Sequence, residues 1–539
     1  MRLSAIADWC VLSHGPKRYI ALFIIGALAA LALPPFKVLP LFFIGIAALV
    51  WFLDGVETQS GWRKLFGPAF WIGWAFGFGY FTVSLHWLGA AFFVDGDLFL
   101  WALPIGILGL PAFLAIFWAF GTAFAHLFWS DYAQRIFALA AFIALFEFLR
   151  GIVLTGLPFN VPGYVLTAHP YLMQSAAYLG VHGLSFIALL VGASLALWVT
   201  PLAGDRAKYL PVIALLGLGI MAGLGAWRYH QAPFEPRPDV RLRLVQPNIP
   251  QNQKWDPQYK DAIFNSLLGL SQTRIDPNDP GLISTTHLIW PESAFPFYVA
   301  EEPEALARIA RMLPQDTLLL TGAARRNYDL GGFSDQNNEV FNSILAINDQ
   351  GEIIASYDKR RLVPFGEYLP LKSLLTQLGL RKFVAAADSF VKGKETGLAF
   401  APQNTPAILP LICYEVIFSG ALGQKAENAE WILNLTNDAW FQGTIGPAQH
   451  AHHARVRAVE QGLPLVRVAN TGHTFVTDPI GRITTQIPVD TPDLALAQIP
   501  YPLEKTIFSQ YTYLLFYLII GASIFAVFLR NRWRHTWET

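Results

Sequence analysis

Hydrophobic residues are distributed very unevenly along the chain. Long apolar runs, broken only by short loops, fill residues 1–230 and recur near the end, whereas the residues between them alternate short apolar and polar stretches. A helix of about 20 apolar residues is long enough to cross a bilayer. We therefore predict eight membrane spans, at Tyr19–Leu33, Val38–Leu53, Phe66–Phe93, Leu98–Phe128, Ile136–Leu149, Leu172–Val199, Leu210–Trp227 and Ile507–Leu529.

The region between the seventh and the eighth span has a different pattern. Short runs rich in branched apolar residues are typical of buried strands, and they occur at Val240–Val245, Leu288–Trp290, Thr317–Thr321, Ser343–Ile347, Ala407–Ile412, Trp431–Leu435, Leu465–Val468 and Leu494–Ile499. Helical patterns lie between some of them, at Gln258–Gln272 and Glu302–Leu313. This alternation predicts a layered α/β domain. We accordingly divide the chain into a seven-span region at residues 1–230, an α/β domain at residues 231–503, and a last span with a short tail at residues 504–539.

The composition agrees with a multi-pass membrane protein that carries one large soluble domain, since 54% of the 539 residues are hydrophobic and only 14% are charged. The formal net charge is zero, so nothing indicates a nucleic-acid partner. The chain has 2 cysteines, Cys10 and Cys413, which excludes a disulfide framework and a cysteine-rich zinc site. No pair among His86, His169 and His182 has a metal-ligand spacing. We predict neither a metal nor another cofactor.

Basic residues predict the orientation of the chain in the membrane. Cytoplasmic loops are enriched in lysine and arginine. If the spans alternate in direction, the basic residues before the first, third, fifth and seventh spans and after the eighth all fall on one side. We predict that this side is the cytoplasm and that it holds both termini. The α/β domain is then expected to lie outside the cytoplasm.

One cysteine ends a predicted strand and is followed closely by a carboxylate, in the stretch Pro410–Phe418. A nucleophile at such a position can present its side chain at the edge of a sheet, while the following backbone N–H groups face an oxyanion. Taken alone, Cys413 is better interpreted as a small buried hydrophobe. Three other stretches favour the nucleophile: Glu292 follows a strand and stands between prolines, Lys359 lies in a basic loop, and Asn434–Phe441 follows the cysteine.

In this order within one domain, Glu292, Lys359 and Cys413 resemble the Glu-Lys-Cys triad of the carbon–nitrogen hydrolase (nitrilase) superfamily. Further stretches extend the resemblance over nearly the whole chain, at Leu244–Gln251, Trp290–Glu292, Val363–Glu367, Cys413–Glu415, Gln449–Arg455, Arg457, Glu460 and Asn470–Gly472. With membrane spans on both sides, the chain is similar to the bacterial apolipoprotein N-acyltransferase family. The resemblance implies a nitrilase-like αββα sandwich seated on an eight-helix bundle in the inner membrane, with the sandwich in the periplasm. We expect a monomer.

The resemblance also implies a reaction. An acyl chain would move from a phospholipid, with phosphatidylethanolamine as the expected donor, to the α-amino group of the diacylglyceryl-cysteine of an apolipoprotein. It would pass through a thioester on Cys413 in a ping-pong sequence. Glu292 is expected to take and return the proton, and Lys359 is expected to stabilise the thiolate and the oxyanion. Glu367 is expected to support this site.

Four other residues have candidate roles. Tyr414 and Glu415 would lie beside the cysteine, and Glu415 is open to interpretation as a structural carboxylate. Trp255 resembles a tryptophan near the lipid entrance of the family, or is an interfacial aromatic. Arg150 either forms a snorkelling ion pair with Glu147 or belongs to a polar floor beneath a lipid head group.

Two other functions fit parts of the sequence. A membrane-bound amidase or nitrilase of the same superfamily would use water as the acceptor, but the many spans and the outward-facing domain argue against it. A transporter would need several paired charges near the middle of the membrane, whereas Glu147 and Arg150 lie close to the end of a span. The stretch Leu371–Phe383 is either a mobile cover over the lipid entrance or an amphipathic helix packed on the sandwich.

Overall fold

The structure is a computed structural model that describes residues 3–57, 60–94, 100–199, 205–326, 339–368, 370, 390–394, 400–402, 405–420 and 428–535. The stretch Leu371–Phe383, which is a candidate lipid cover, lies outside these residues. The helices are α1 (Leu3–Leu12), α2 (Pro16–Ala29), α3 (Leu39–Asp54), α4 (Arg63–Phe66), α5 (Pro68–Leu85), α6 (Leu110–His126), α7 (Gln134–Arg150), α8 (Tyr164–Thr167), α9 (Pro170–Met173), α10 (Ala176–Leu195), α11 (Leu210–Gln231), α12 (Lys260–Gln272), α13 (Pro303–Met312), α14 (Gly446–Gln461), α15 (Ile507–Tyr511) and α16 (Leu514–His535).

Each of the eight predicted spans overlaps at least one of these helices. Three helical stretches, of 27, 23 and 26 residues, are long and apolar enough to cross a membrane: Leu100–His126, Ala176–Trp198 and Arg206–Gln231. Within the described ranges, the other apolar helices do not reach that combination of length and hydropathy. The count of eight spans therefore stays a prediction.

The α/β domain contains two sheets. Its strands are β1 (Pro236–Gln246), β2 (His287–Ile289), β3 (Leu318–Arg326), β4 (Val340–Ile347), β5 (Ile353–Asp358), β6 (Ile408–Ile412), β7 (Trp431–Thr436), β8 (Leu465–Ala469), β9 (Phe475–Thr477), β10 (Ile483–Gln486) and β11 (Asp493–Pro500). The larger sheet has the order β11-β1-β2-β3-β4-β5 and the smaller one the order β10-β9-β8-β7-β6. β1, β2 and β3 run parallel, as do β6, β7 and β8, so the ends of these neighbouring strands meet at common edges.

The two sheets pack face to face around a shared apolar core. Side chains of the larger sheet, such as Leu244 and Leu320, lie in one cluster with Leu433 and Val468 of the smaller sheet. The outer face of the larger sheet packs on α12 and α13. The outer face of the smaller sheet packs on α14 and continues into the core of the helical bundle. The predicted αββα layering is therefore present.

Three strands were not predicted from the sequence, and each has a weak hydrophobic signal. β5 is only partly buried along most of its length. β9 has 3 residues, which is too short for a pattern of alternation. β10 is largely exposed. Pairing with a neighbouring strand, rather than an apolar pattern, accounts for β5 and β10, whereas β9 is fully buried and escapes prediction because it is short.

Buried polar contacts join the domain to the helical bundle through α14. The Gln449 carboxamide oxygen accepts hydrogen bonds from Trp87 Nε1 and Asn160 Nδ2, both at 2.9 Å. Farther along the same helix, Glu460 Oε1 accepts the backbone N–H of Val181 at 2.9 Å. Hydrogen bonds of this kind have defined directions, so they fix the orientation of α14 on the bundle.

Candidate active site

β6 carries the cysteine to the edge of the smaller sheet. The strand ends at Ile412, and Cys413 begins a helical turn that runs to Ile417. Cys413 has a φ of 48°, in the left-handed region that residues with a side chain seldom occupy. Its side chain is half-buried. The prediction that a strand ends at this cysteine is confirmed, and the strained backbone is typical of a nucleophile at a turn.

A tight loop after β2 presents Glu292. Gly322 of the adjacent β3 lies so close to this loop that a Cβ atom there would approach Glu292 Cα to 2.5 Å. Gly322 donates its N–H to the Pro291 carbonyl at 3.1 Å and accepts the N–H of Ala294 at 2.8 Å. Only glycine leaves room for this contact, which holds the loop against the sheet. Glu292 is buried as a result.

Lys359 follows β5 and lies between two carboxylates. Its Nζ atom is 2.8 Å from Glu367 Oε1 and 3.5 Å from Glu292 Oε1. Asn342 of β4 bridges the same two oxygens, donating from Nδ2 to Glu292 at 2.8 Å and to Glu367 at 2.9 Å. Burial lowers the pKa of Lys359, but Glu367 and Glu292 overcome this effect and hold that pKa well above its usual range. The lysine is therefore a permanent cation.

The thiol of Cys413 is protonated in the resting site. Burial raises the pKa of the Cys413 thiol to about 12, and the Glu292 carboxylate adds to the increase, while Lys359 opposes it. Since the thiolate is the nucleophile, attack requires a base that removes the proton as the bond forms. The charge of Glu292 acts on this thiol, and its role as that base stays a prediction.

Glu415 holds the turn of the nucleophile to a neighbouring loop. It is 1% exposed. Its oxygens accept the backbone N–H groups of Arg360 at 2.7 Å, Arg361 at 3.2 Å and Ile412 at 2.8 Å. The Tyr357 hydroxyl donates a further bond at 3.0 Å. These contacts tie the loop after β5 to the end of β6, which favours the structural interpretation of this carboxylate.

A second lysine, not predicted from the sequence, reaches the same site. Lys254 is 1% exposed, and its Nζ donates to the backbone carbonyl of Glu292 at 3.0 Å. Burial lowers the pKa of Lys254 to about 8, although the charges of Glu292 and Cys413 act in the opposite direction. A lysine in a polar stretch is ordinarily exposed. In the sequence, only the position of Lys254 next to Trp255 pointed to a place near the site.

Trp255 and Arg150, which are predicted to contact lipid, and Tyr414, which is predicted to lie beside the cysteine, occupy different environments. Trp255 is 40% exposed. The Tyr414 hydroxyl donates to the Gly156 carbonyl at 2.8 Å and so joins the cysteine turn to a loop of the bundle. Arg150 is fully buried and pairs with Glu147 through two contacts of 2.9 and 2.7 Å. This geometry favours the ion-pair interpretation, and a lipid-binding role of Arg150 stays a prediction.

A buried group of charged side chains lies next to the cysteine. Asp438 pairs with Arg467 at 2.7 Å and with His450 Nδ1 at 2.9 Å. Burial raises the pKa of Asp438, but Arg467 and His450 outweigh it and hold that pKa well below its usual range. Ligand atoms of Cys413, Asp438 and His450 all lie within 4.8 Å of one another. Such a set could ligate a metal ion, although Arg467 already balances the charge of the carboxylate.

Comparisons with known proteins decide the family. Residues 25–194 match the family described as "Apolipoprotein N-acyltransferase N-terminal domain", and residues 284–506 match the family described as "Carbon-nitrogen hydrolase". A protein of Rhodopseudomonas palustris named apolipoprotein N-acyltransferase is 40% identical over 531 residues, which are 98% of each chain. The chain belongs to the apolipoprotein N-acyltransferase family. A relative of the same name from Brucella suis is 41% identical over 504 residues, which are 93% of each chain. Another, from Rhizobium leguminosarum, is 43% identical over 487 residues, which are 89% of this chain and 90% of the relative.

The expected family and the nitrilase-like fold are thereby confirmed. In this member of the apolipoprotein N-acyltransferase family, Lys359 contacts Glu292, and the charges of both act on the thiol of Cys413. The catalytic roles of these three residues stay predictions. Sequence reasoning assigned no role to the buried polar partners of the site, although Asp438 and His450 lie in stretches that it singled out. These partners are Lys254, Asn342, Asp438, His450 and Arg467.

Proposed function

We propose that the protein transfers an acyl chain from a membrane phospholipid, with phosphatidylethanolamine as the expected donor, to the α-amino group of the diacylglyceryl-cysteine of apolipoproteins. The observation that carries this proposal is a strained cysteine next to Glu292 and Lys359, in a domain joined to apolar helices by buried hydrogen bonds. A relative named apolipoprotein N-acyltransferase aligns with 98% of the chain, which supports the same activity.

The first half of the proposed reaction forms a thioester. Glu292 takes the proton of Cys413 as the sulfur attacks the ester carbonyl of the phospholipid. The Lys359 ammonium and the backbone N–H of Tyr414 stabilise the oxyanion that develops. The carbon–oxygen bond then breaks, Glu292 gives its proton to the departing glycerol oxygen, and a lysophospholipid leaves.

The second half transfers the acyl group to nitrogen. The neutral amine of the acceptor attacks the thioester carbonyl and loses a proton to Glu292. The carbon–sulfur bond breaks, the amide forms, and the proton passes from Glu292 to the sulfur of Cys413. One base therefore serves both halves, which fits a ping-pong sequence in which the two lipid substrates use the site in turn.

The proposed substrates keep their hydrocarbon chains in the bilayer, so the site must open close to the membrane surface. The contact of Tyr414 with Gly156 in the bundle supports such a position. We place the seven-span region at residues 1–230, the catalytic domain at residues 231–503 in the periplasm, and the last span at residues 504–539, with both termini in the cytoplasm. The protein is proposed to act as a monomer in the bacterial inner membrane.

The test is the intact mass of the purified protein after incubation with phosphatidylethanolamine. An added acyl mass is expected on the native chain and on Cys10→Ala, but not on Cys413→Ala. Addition of a diacylglyceryl peptide with a free amine should discharge the adduct and produce the N-acylated peptide. If the adduct forms but only water discharges it, the chain is a hydrolase of the amidase type. If no adduct forms, or if Cys413→Ala carries it equally, the thioester mechanism is wrong.

A further inference from the structure

Both ring nitrogens of His450 face oxygen atoms. Nδ1 is 2.9 Å from Asp438 Oδ1, and Nε2 is 3.1 Å from the backbone carbonyl oxygen of Cys413. A carbonyl oxygen can only accept a hydrogen bond. Asp438 is also an acceptor, because its pairing with Arg467 at 2.7 Å keeps it ionised. His450 Nε2 therefore donates to the carbonyl of Cys413, while Nδ1 lies against the Asp438 carboxylate.

Three neighbouring groups hold the His450 ring in place. Nδ1 is 2.9 Å from Asp438 Oδ1 and 3.2 Å from Arg467 Nη2, and Nε2 faces the carbonyl of the nucleophile. The histidine is 7% exposed, so these protein contacts fix the orientation of the ring.

The carbonyl that accepts this bond belongs to the Cys413–Tyr414 peptide unit. In a trans peptide the C=O and N–H bonds point in opposite directions. A donor that fixes the carbonyl on one side therefore fixes the direction of the Tyr414 N–H on the other side. Such a donor also draws electron density toward the carbonyl oxygen, which makes the N–H of the same amide a stronger hydrogen-bond donor.

We propose that His450, held by Asp438, is a positioning residue that orients and polarises the Cys413–Tyr414 peptide so that its N–H stabilises the oxyanion. This inference rests on the proposed acyl transfer through Cys413. It also explains how Cys413 keeps a φ of 48°, since the carbonyl of the strained residue is anchored by the hydrogen bond from His450. His450 does not touch the reacting atoms in this proposal and acts through the peptide alone.

The test compares His450→Gln with His452→Gln in the acyl-enzyme. His452 lies two residues farther along α14, is equally buried, and binds Thr167 of the bundle at 2.9 Å, so it controls for loss of a buried histidine. The acyl group is delivered from phosphatidylethanolamine labelled isotopically at the ester carbonyl. Two quantities are measured: the rate of adduct formation on Cys413 and the infrared frequency of the thioester carbonyl.

His450→Gln is expected to slow adduct formation by about 10- to 100-fold, which is less than the loss of a complete oxyanion donor. It should also move the thioester carbonyl band to higher wavenumber, because the carbonyl is polarised less. His452→Gln should leave the band in place. If His450→Gln does not fold, Asp438→Asn, which keeps the ring but removes its anion, is expected to move the band in the same direction.

Other outcomes overturn the inference in distinguishable ways. A slower rate with an unmoved band in His450→Gln would mean that the histidine only supports the fold. An equal band shift in His452→Gln would mean that the effect is not specific to the contact with Cys413. Absence of any adduct in the native chain would overturn the proposed function together with this inference, whereas a normal adduct with an unmoved band overturns the inference alone.

Discussion

Replacement of Glu292 by glutamine should make the Cys413 thiol more acidic while it makes acyl transfer slower. Burial raises the pKa of this thiol to about 12, and the negative charge of Glu292 contributes to the increase. The amide of Glu292→Gln has nearly the same shape but no charge, so the pKa of the thiol should fall. The same variant has lost its base, so the acylation rate should decrease by about 100- to 10,000-fold.

The size of the change in acidity follows from the charges in the site. Like charges within about 4 to 6 Å change a pKa by about 1 to 3. Lys359 adds to the effect, since at 3.5 Å and an effective dielectric constant of about 20 it attracts Glu292 by about 5 kcal/mol, and in the variant its charge is divided between Glu367 and the sulfur. More thiolate is present, but a less basic thiolate is a weaker nucleophile, and the net increase in alkylation rate is about 3- to 30-fold.

The assay is the rate of alkylation by iodoacetamide at pH 8 in a Cys10→Ser background, which leaves Cys413 as the one cysteine of the chain. Glu301→Gln is the matched control, because it removes an equal charge from an exposed position paired with Arg326. Its alkylation rate should equal that of the parent. Acylation by phosphatidylethanolamine is measured on the same preparations.

Two results would refute this reasoning. An alkylation rate that stays constant or decreases in Glu292→Gln would show that the carboxylate does not raise the pKa of the thiol. A faster alkylation together with normal acylation would show that Glu292 affects the thiol but is not the base.

Three further predictions concern the surroundings of the nucleophile. Burial lowers the pKa of Lys254 to about 8, so the positive charge of this lysine is lost above that pH and the pKa of the Cys413 thiol rises in turn. The rate of Cys413 alkylation should therefore increase less steeply with pH near pH 8 than at lower or higher pH. In Lys254→Met the alkylation rate should increase with pH at one constant slope. Glu415→Gln places an amide NH₂ against backbone donors and should destabilise the protein by about 2 to 4 kcal/mol, observed as a lower melting temperature in detergent. Glu147→Gln leaves Arg150 buried without an anion and should cost about 3 to 5 kcal/mol, whereas Glu147→Leu combined with Arg150→Met should recover most of the melting temperature.

The residues of the site that could be predicted are those that lie beside a recognisable hydrophobic pattern in the sequence. Cys413 ends an apolar run that is long enough to be a strand, and Glu292 follows another such run, so hydrophobicity alone placed both at strand ends. The spans were found in the same way, since an apolar run predicts a helix of matching position. Their number was not settled, because length and hydropathy single out three helical stretches among the described residues.

The remaining part of the site depends on contacts between distant segments. Asn342 bridges Glu292 and Glu367 from a strand whose sequence shows only burial. Lys254 and His450 are polar residues whose burial is decided by what packs over them. The sequence gives no measure of that packing. His450 lies in a stretch that resembles the family and Lys254 precedes Trp255, but the resemblance did not assign either of them a role.

The contacts of α14 connect two requirements of a lipid acyltransferase. The reacting carbonyl of a membrane lipid lies at a depth fixed by its hydrocarbon chains, so the nucleophile must be held at a fixed height over the bundle. Gln449 binds Trp87 and Asn160 of the bundle, and the next residue of the same helix, His450, binds the carbonyl of Cys413. Neighbouring residues of a helix move together, so these contacts fix the position of the nucleophile relative to the bundle. If acyl transfer depends on this coupling, Gln449→Ala should slow acylation by a phospholipid in the bilayer more than acylation by a short-chain water-soluble ester.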